Sequence, residues 1–75
     1  MINVAIMGYG TIGSGVAEIL ETNKEIIAKN VGQEVALKYV LDLRDFPGSP
    51  VEDKVVHDFS IIEKDPEVQI VVETM

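Results

Sequence analysis

The chain contains no cysteine and no tryptophan. Without thiols it has neither a disulfide frame nor a thiolate metal site, and the setting expected for it is a reducing, cytoplasmic one. Histidine occurs once, at position 57, so neither a His cluster for a metal nor a His–Cys pair for catalysis can be assembled. His57 reads as a strand-edge or surface residue. Basic residues are also scarce: 6 Lys plus Arg against 13 Asp plus Glu give a net charge of −7. No basic patch is present to neutralise phosphates along a nucleic acid. Long apolar runs are missing as well. The opening "MINVAIMGYG" lacks a basic n-region and is interrupted by glycine, so neither a signal peptide nor a membrane span is read there. What remains is 47% hydrophobic and 25% charged, a composition that folds. With 75 residues there is at most one domain, and one of this size buries only about 60% of its unfolded surface.

The apolar residues are arranged in blocks. "INVAIM", 2–7, is a nearly continuous run of strand length, the pattern of a strand covered on both faces. Ile12, Val16, Ile19, Leu20, Ile27 and Val31 then recur at helical spacing, which predicts one long amphipathic helix ending at the "NVG" of 30–32, where Gly32 suits a left-handed cap. "EVALKYVLD", 34–42, reads as a second strand, and "RDFPGSPVEDK", 44–54, as a surface loop. "VVHDF", 55–59, is read as a short third strand, and Ser60 with Glu63 as a capping box opening a short helix that runs to about Asp65. "VQIVVETM", 68–75, is the last strand. This alternation predicts an α/β fold: a partial, Rossmann-like parallel sheet with strand order 3-2-1-4, an incomplete doubly wound domain. The far edge of the fourth strand would lie bare in such a half-sheet. Residues 1–75 are therefore expected to be the N-terminal part of a larger dinucleotide-binding domain.

Four glycines fall between positions 8 and 15, and Gly8, Gly10 and Gly13 fit G-x-G-x-x-G between a strand and a helix. Gly8 would let the chain leave the strand in a tight turn. Gly10 would let a pyrophosphate approach the backbone, and Gly13 would let helix and strand pack closely. The first helical amides, at Thr11 and Ile12, would point at the phosphates, with the Thr11 hydroxyl as a further donor. Gly15, unfavourable inside a helix, is assigned to close packing or cofactor approach.

Asp42, at the end of the second strand, is placed to bind the adenosine ribose hydroxyls of NAD, although it follows Gly13 by 29 residues where about 20 is usual. Arg44 could instead pair with the 2'-phosphate of NADP. Both cofactors stay open. Glu73 and Thr74 stand at the carboxyl end of the last strand, where a nicotinamide would lie. The acids Glu52, Asp53, Asp58, Glu63, Asp65 and Glu67 read as a solvated face.

"MINVAIMGYGTIGSGVAEIL", "KEIIAKNVGQEVALKYVLDLRD" and "DPEVQIVVETM" together resemble the N-terminal segment of homoserine dehydrogenases. The more specific points are Ser14-Gly15-Val16 after the glycine loop, Val31-Gly32 at the helix end, the Arg44-Asp45 pair, and "DPEV" before the last strand. The resemblance implies an NAD(P)-dependent oxidoreduction between L-homoserine and L-aspartate 4-semialdehyde, toward threonine, methionine and isoleucine. It assigns Thr11 and Ile12, with Tyr9 beside them, to the cofactor, and Arg44 to the basic position after the second strand. It also implies that the catalytic lysine, the substrate acids and the dimerisation region lie outside these residues, so that this stretch is inactive alone and the homo-oligomer belongs to the complete enzyme. "GYGTIG" also resembles archaeal-type glyceraldehyde-3-phosphate dehydrogenases, and a non-enzymatic nucleotide-sensing module shares the strand-loop-helix start.

Overall fold

The computed structural model describes residues 1–74. Four strands, β1 (Ile2–Met7), β2 (Val35–Leu41), β3 (Val55–Val56) and β4 (Val68–Glu73), form one sheet in the order β3-β2-β1-β4 with every pairing parallel. The order is the expected one. The central strand β1 is flanked on both sides, which is why its apolar run is unbroken: Val4, Ala5 and Ile6 are all buried. Ile6 lies opposite Val40 on one side and Val72 on the other, and with Val51 and Ala17 it forms the core.

Two register irregularities break the ladder, one against β2 between Val4 and Ala5 and one against β4 between Asn3 and Val4. The residues left unpaired, Lys38 and Gln69, are both polar. Gln69 turns its Oε1 onto the Asn3 amide at 2.8 Å, so the donor freed by the slip is satisfied by the side chain of the skipped residue. Lys38 pairs with Asp65 and Glu67, and Asp65 also accepts from the Tyr39 hydroxyl at 2.8 Å. The Lys38 ammonium heads the causes that bring the Asp65 carboxyl down to about 2, followed by the Glu67 amide and the Tyr39 hydroxyl. Asp65 is thus a structural clamp on the lead into β4, where the sequence suggested a solvated acid.

The long helix is two. α1 (Thr11–Thr22) and α2 (Lys24–Val31) meet at Asn23, whose φ of −104° and ψ of 22° leave the helical region. Its side-chain Nδ2 approaches the Ile19 carbonyl at 3.3 Å, beside the bond that carbonyl already receives from the Asn23 amide, which is the local competition asparagine offers a helix. The buried stripe also differs from the expected one. Gly13 and Ala17 are buried and Val16, Leu20 and Ile27 half-buried, while Ile12, Ile19 and Val31 of the expected face are exposed. Gly32 closes α2 with φ of 87° as expected.

The loop after β2 is not wholly superficial, because Val51 is 3% exposed and enters the core just before a 3₁₀ turn at Glu52–Lys54. The helix α3 (Phe59–Glu63) is capped two residues before the expected Ser60, by Asp58, whose Oδ1 accepts from the Ser60 amide at 2.9 Å, and it ends at Glu63 rather than near Asp65. β3 is correspondingly cut to two residues. Among the described residues β4 pairs with β1 alone, and Ile70 and Val71, on its opposite faces, are each 45% exposed.

Candidate dinucleotide site

The site is built where β1 ends. Gly8 has φ of 95°, a backbone conformation that side chains rarely adopt, and its amide donates to the Leu41 carbonyl at 2.7 Å. The turn therefore leaves the sheet while still pinned to β2. A Cβ at Gly13 would collide with the Gly8 carbonyl oxygen and lie 3.1 Å from Thr74 Oγ1, so glycine is what allows α1 to start this close to the strand. At Gly10 a Cβ would meet nothing within 4 Å, leaving open space in front of the backbone. Gly15 is equally open, so close packing is not its role.

α1 begins with Gly10 as its cap, no side-chain cap hydrogen bond and no acid in its first turn. The intrahelical ladder starts with the Ser14 amide on the Gly10 carbonyl at 2.8 Å, so the first-turn amides at Thr11, Ile12 and Gly13 are left for an acceptor from outside the helix. Such an end binds anions.

Asp42 closes the other side. It is 7% exposed, and its carboxylate accepts from the Tyr9 amide at 2.9 Å, the Arg44 amide at 3.0 Å, and Arg44 Nε and Nη2, both at 3.1 Å. The Arg44 guanidinium, together with the Arg44 and Tyr9 amides, holds this carboxyl far below the usual carboxylate range despite its burial. One side chain thereby joins the glycine loop to the end of β2. Arg44 itself is largely exposed and lies over the Phe46 ring, which meets the Tyr9 ring edge-on at a centroid distance of 4.8 Å. Thr74 Oγ1 reaches the Gly8 carbonyl at 2.7 Å and the Met7 carbonyl at 3.0 Å, tying the end of β4 to the same loop.

Gly8, Tyr9, Gly10, Asp42, Leu43, Arg44 and Thr74 line a cleft of about 380 Å³. Thr11, Ile12 and Gly13 stand beside it at the helix end, and Glu73 is exposed next to Thr74 without lining it. Leu43, which the sequence did not single out, is 87% exposed at the rim. A larger hollow of about 640 Å³ runs between α1, β2 and the Pro50–Lys54 stretch, over Ala17, Leu20 and Val35, with Tyr9 at the junction of the two. It lacks the glycine turn and the first helical amides, so the smaller cleft is the one equipped for a phosphate. Among the described residues no group of three or more His, Cys, Asp or Glu could hold a metal ion, and no helix is long and apolar enough to cross a membrane.

A parallel sheet in this order, with a glycine turn leading into a bare helix N-terminus and an acid at the end of the second strand, defines a Rossmann-like dinucleotide-binding fold. The comparisons narrow the class. The chain is 37% identical over 76 residues to a homoserine dehydrogenase of Helicobacter pylori, across 99% of this chain and 18% of that protein. It is 36% identical over 77 residues to the homoserine dehydrogenase of Methylobacillus glycogenes, across 96% of this chain and 18% of that one. A crystal structure of the S. aureus homoserine dehydrogenase at pH 8.5 superposes with a TM-score of 0.85 at 30% identity, covering 99% of this chain and 19% of that one. No family model matches the chain. Together these similarities place it in the homoserine dehydrogenase family, as a stretch equivalent to about a fifth of its members' length.

Proposed function

We propose that this chain is the cofactor cradle of an NAD(P)-dependent homoserine dehydrogenase, the cytoplasmic enzyme that interconverts L-homoserine and L-aspartate 4-semialdehyde, and that it prefers NADP. The observation that carries the reading is the uncapped start of α1 facing open space at Gly10. The pyrophosphate would be held by the amides of Gly10, Thr11 and Ile12, with Gly8 and Gly13 setting the approach. Bound there, the cofactor's nicotinamide would supply hydride transfer. The chain's own residues bind and orient: Thr74 fixes the carbonyl side of the loop, Asp42 fixes the Tyr9 amide, and Glu73 borders the strand end toward the nicotinamide.

The NADP preference follows from how Asp42 is used. A carboxylate offers about four acceptor positions, and here four donors occupy them. A ribose hydroxyl would have to displace the guanidinium. Arg44, by contrast, presents an exposed cation at the cleft mouth, able to take a 2'-phosphate in bidentate fashion. Titration of the chain with NADPH and NADH, followed by nicotinamide fluorescence, should show tighter binding of NADPH and loss of that preference in Arg44→Ala. Equal affinities, or a preference for NADH, would overturn the assignment. The chain alone should not oxidise homoserine, and turnover by the purified 75 residues would show that it is more than a cradle.

A further inference from the structure

His57 follows β3, and its ring reaches across the end of β2. Nδ1 lies 2.7 Å from the Asp42 carbonyl oxygen and Nε2 lies 2.9 Å from Asp45 Oδ1. Both partners are acceptors only. A neutral imidazole has a single N–H and satisfies one of them, whereas the imidazolium donates to both. The ring therefore spans the two ends of a four-residue turn, and the residues between those ends, Leu43 and Arg44, both line the cleft. On the main-chain side the turn is already fixed, the Asp42 amide donating to the Val56 carbonyl at 3.1 Å. Within the turn the Arg44 amide and guanidinium bond the Asp42 carboxylate, and the imidazole adds a tie from β3 that reaches both the Asp42 carbonyl and Asp45.

We propose that His57 is a positioning residue for the adenosine end of the cofactor: as the imidazolium it braces the Asp42–Asp45 turn, fixes where Arg44 presents its guanidinium, and so sets the affinity for a 2'-phosphorylated nucleotide. The inference rests on the NADP reading above. The groups around the ring are the Asp42 carbonyl and carboxylate at the end of β2, the Asp45 carboxylate and Arg44 in the turn, and Asp58 next in sequence, whose carboxylate is committed to the Ser60 amide. The bond to the Asp42 carbonyl first, and that to Asp45 second, raise the imidazole above its ordinary value. Because the folded value is the higher one, the brace is complete below about pH 6.5 and is released as pH rises through the folded value. The ligand titrates the opposite way. A phosphate monoester with its second pKa near about 6 gains negative charge as pH rises, which tightens its hold on Arg44. Weakening with rising pH is thus a signature of the protein.

The test titrates the chain with NADPH and with NADH from about pH 6 to about pH 9, while NMR follows the His57 ring in the same samples. NADPH dissociation should rise about threefold through the titration of His57, the fraction of one lost hydrogen bond that reaches the ligand, and NADH should stay flat. In Asp45→Asn both the His57 titration and the midpoint of the NADPH profile should move together to lower pH. His57→Phe should lose the weakening and keep only the ligand's own trend, its NADPH affinity staying level or tightening as pH rises and meeting that of the unsubstituted chain at high pH. A merely structural histidine would lower the melting temperature of His57→Phe and leave the shape of the pH profile intact, which would overturn the proposal. NADPH affinity that is flat across the His57 titration, or an Asp45→Asn chain whose binding midpoint does not follow the ring, would overturn it as well while leaving the NADP reading standing. Failure of both nucleotides to bind at any pH would overturn the two readings together.

Discussion

Alanine placed at Gly13 and at Gly15, two positions apart on α1, should move stability in opposite directions. At Gly13 the new methyl would run into the Gly8 carbonyl oxygen, 3.0 Å from the carbonyl carbon and 3.1 Å from Thr74 Oγ1. The obstacle is backbone, and it cannot swing aside cheaply. Gly8 is held in its left-handed turn by its amide on Leu41, and its carbonyl accepts from Thr74 at 2.7 Å. Overpacking of this kind costs about 1–3 kcal/mol, and a rigid neighbour argues for the upper end. Against it stands the intrinsic preference of a helix for Ala over Gly, about 1 kcal/mol. The net is a loss of about 2 kcal/mol. For a domain of this size that is a fall of about 8–16 °C in melting temperature. At 75 residues the whole stability is on the order of 4–11 kcal/mol, so the loss is a large share of it. At Gly15 the methyl meets nothing within 4 Å, so only the propensity term acts and the melting temperature should rise by about 4–8 °C. Thermal melts by far-ultraviolet circular dichroism on the two single variants decide the matter. A Gly13→Ala chain that melts at or above the unsubstituted protein would refute the close approach of α1 to the strand end. If Gly15→Ala raised the melting temperature yet abolished NADPH binding, the open space at Gly15 would belong to the ligand.

Other outcomes follow from the hydrogen bonds around the loop. Asp42→Asn exchanges an acceptor of four donors for one that cannot satisfy them all, and urea denaturation should show a loss of about 1–2 kcal/mol, with no loss refuting the tie between Tyr9 and Arg44. Thr74→Val keeps the shape and removes the hydroxyl, so it should lose about 1 kcal/mol and weaken NADPH; unchanged affinity would mean that Thr74 does not set the loop. Asp42 and Asp65 are both held below their unfolded value of about 3.9, so the stability they add is complete above that pH and is lost as pH falls toward about 2 for Asp65. Urea midpoints should therefore decline steadily from about pH 4 downward, and a flat profile there would contradict both ion pairs.

The sheet was readable in advance because its information is local. A strand buried on both faces must be apolar throughout, and Ile2–Met7 is nearly so, with only Asn3 polar. The glycine at 8 was readable for a similar reason: only a residue without a side chain turns the backbone there at low strain. The helix face was less legible. Ile12 and Ile19 keep the period but lie outside because α1 packs through its small residues Gly13 and Ala17, and the break at Asn23, a competition at the Ile19 carbonyl that periodicity does not register, separates Val31 from that stripe. Ser60 and Glu63 have capping-box spacing, yet Asp58 takes the cap because the strand before it ends three residues early.

The sequence alone determined the fold class, the strand order and the location of the glycine turn, because these follow from apolar periodicity and from where glycine is sterically required. The tertiary structure decided how the ionisable residues are used. Asp42, Arg44, Asp45 and His57 are separated by up to 15 positions; the Asp42–Arg44 bonds form within the turn, whereas the His57 contacts of about 3 Å arise only when β2 and β3 lie side by side. An acid that reads as a ribose ligand is, in the folded chain, already filled by the arginine two residues on, and a histidine that reads as a surface residue links the ends of the turn that carries it. Charge and hydrogen-bond occupancy are pairwise quantities, and the pairs that link distant segments exist only once the sheet has formed.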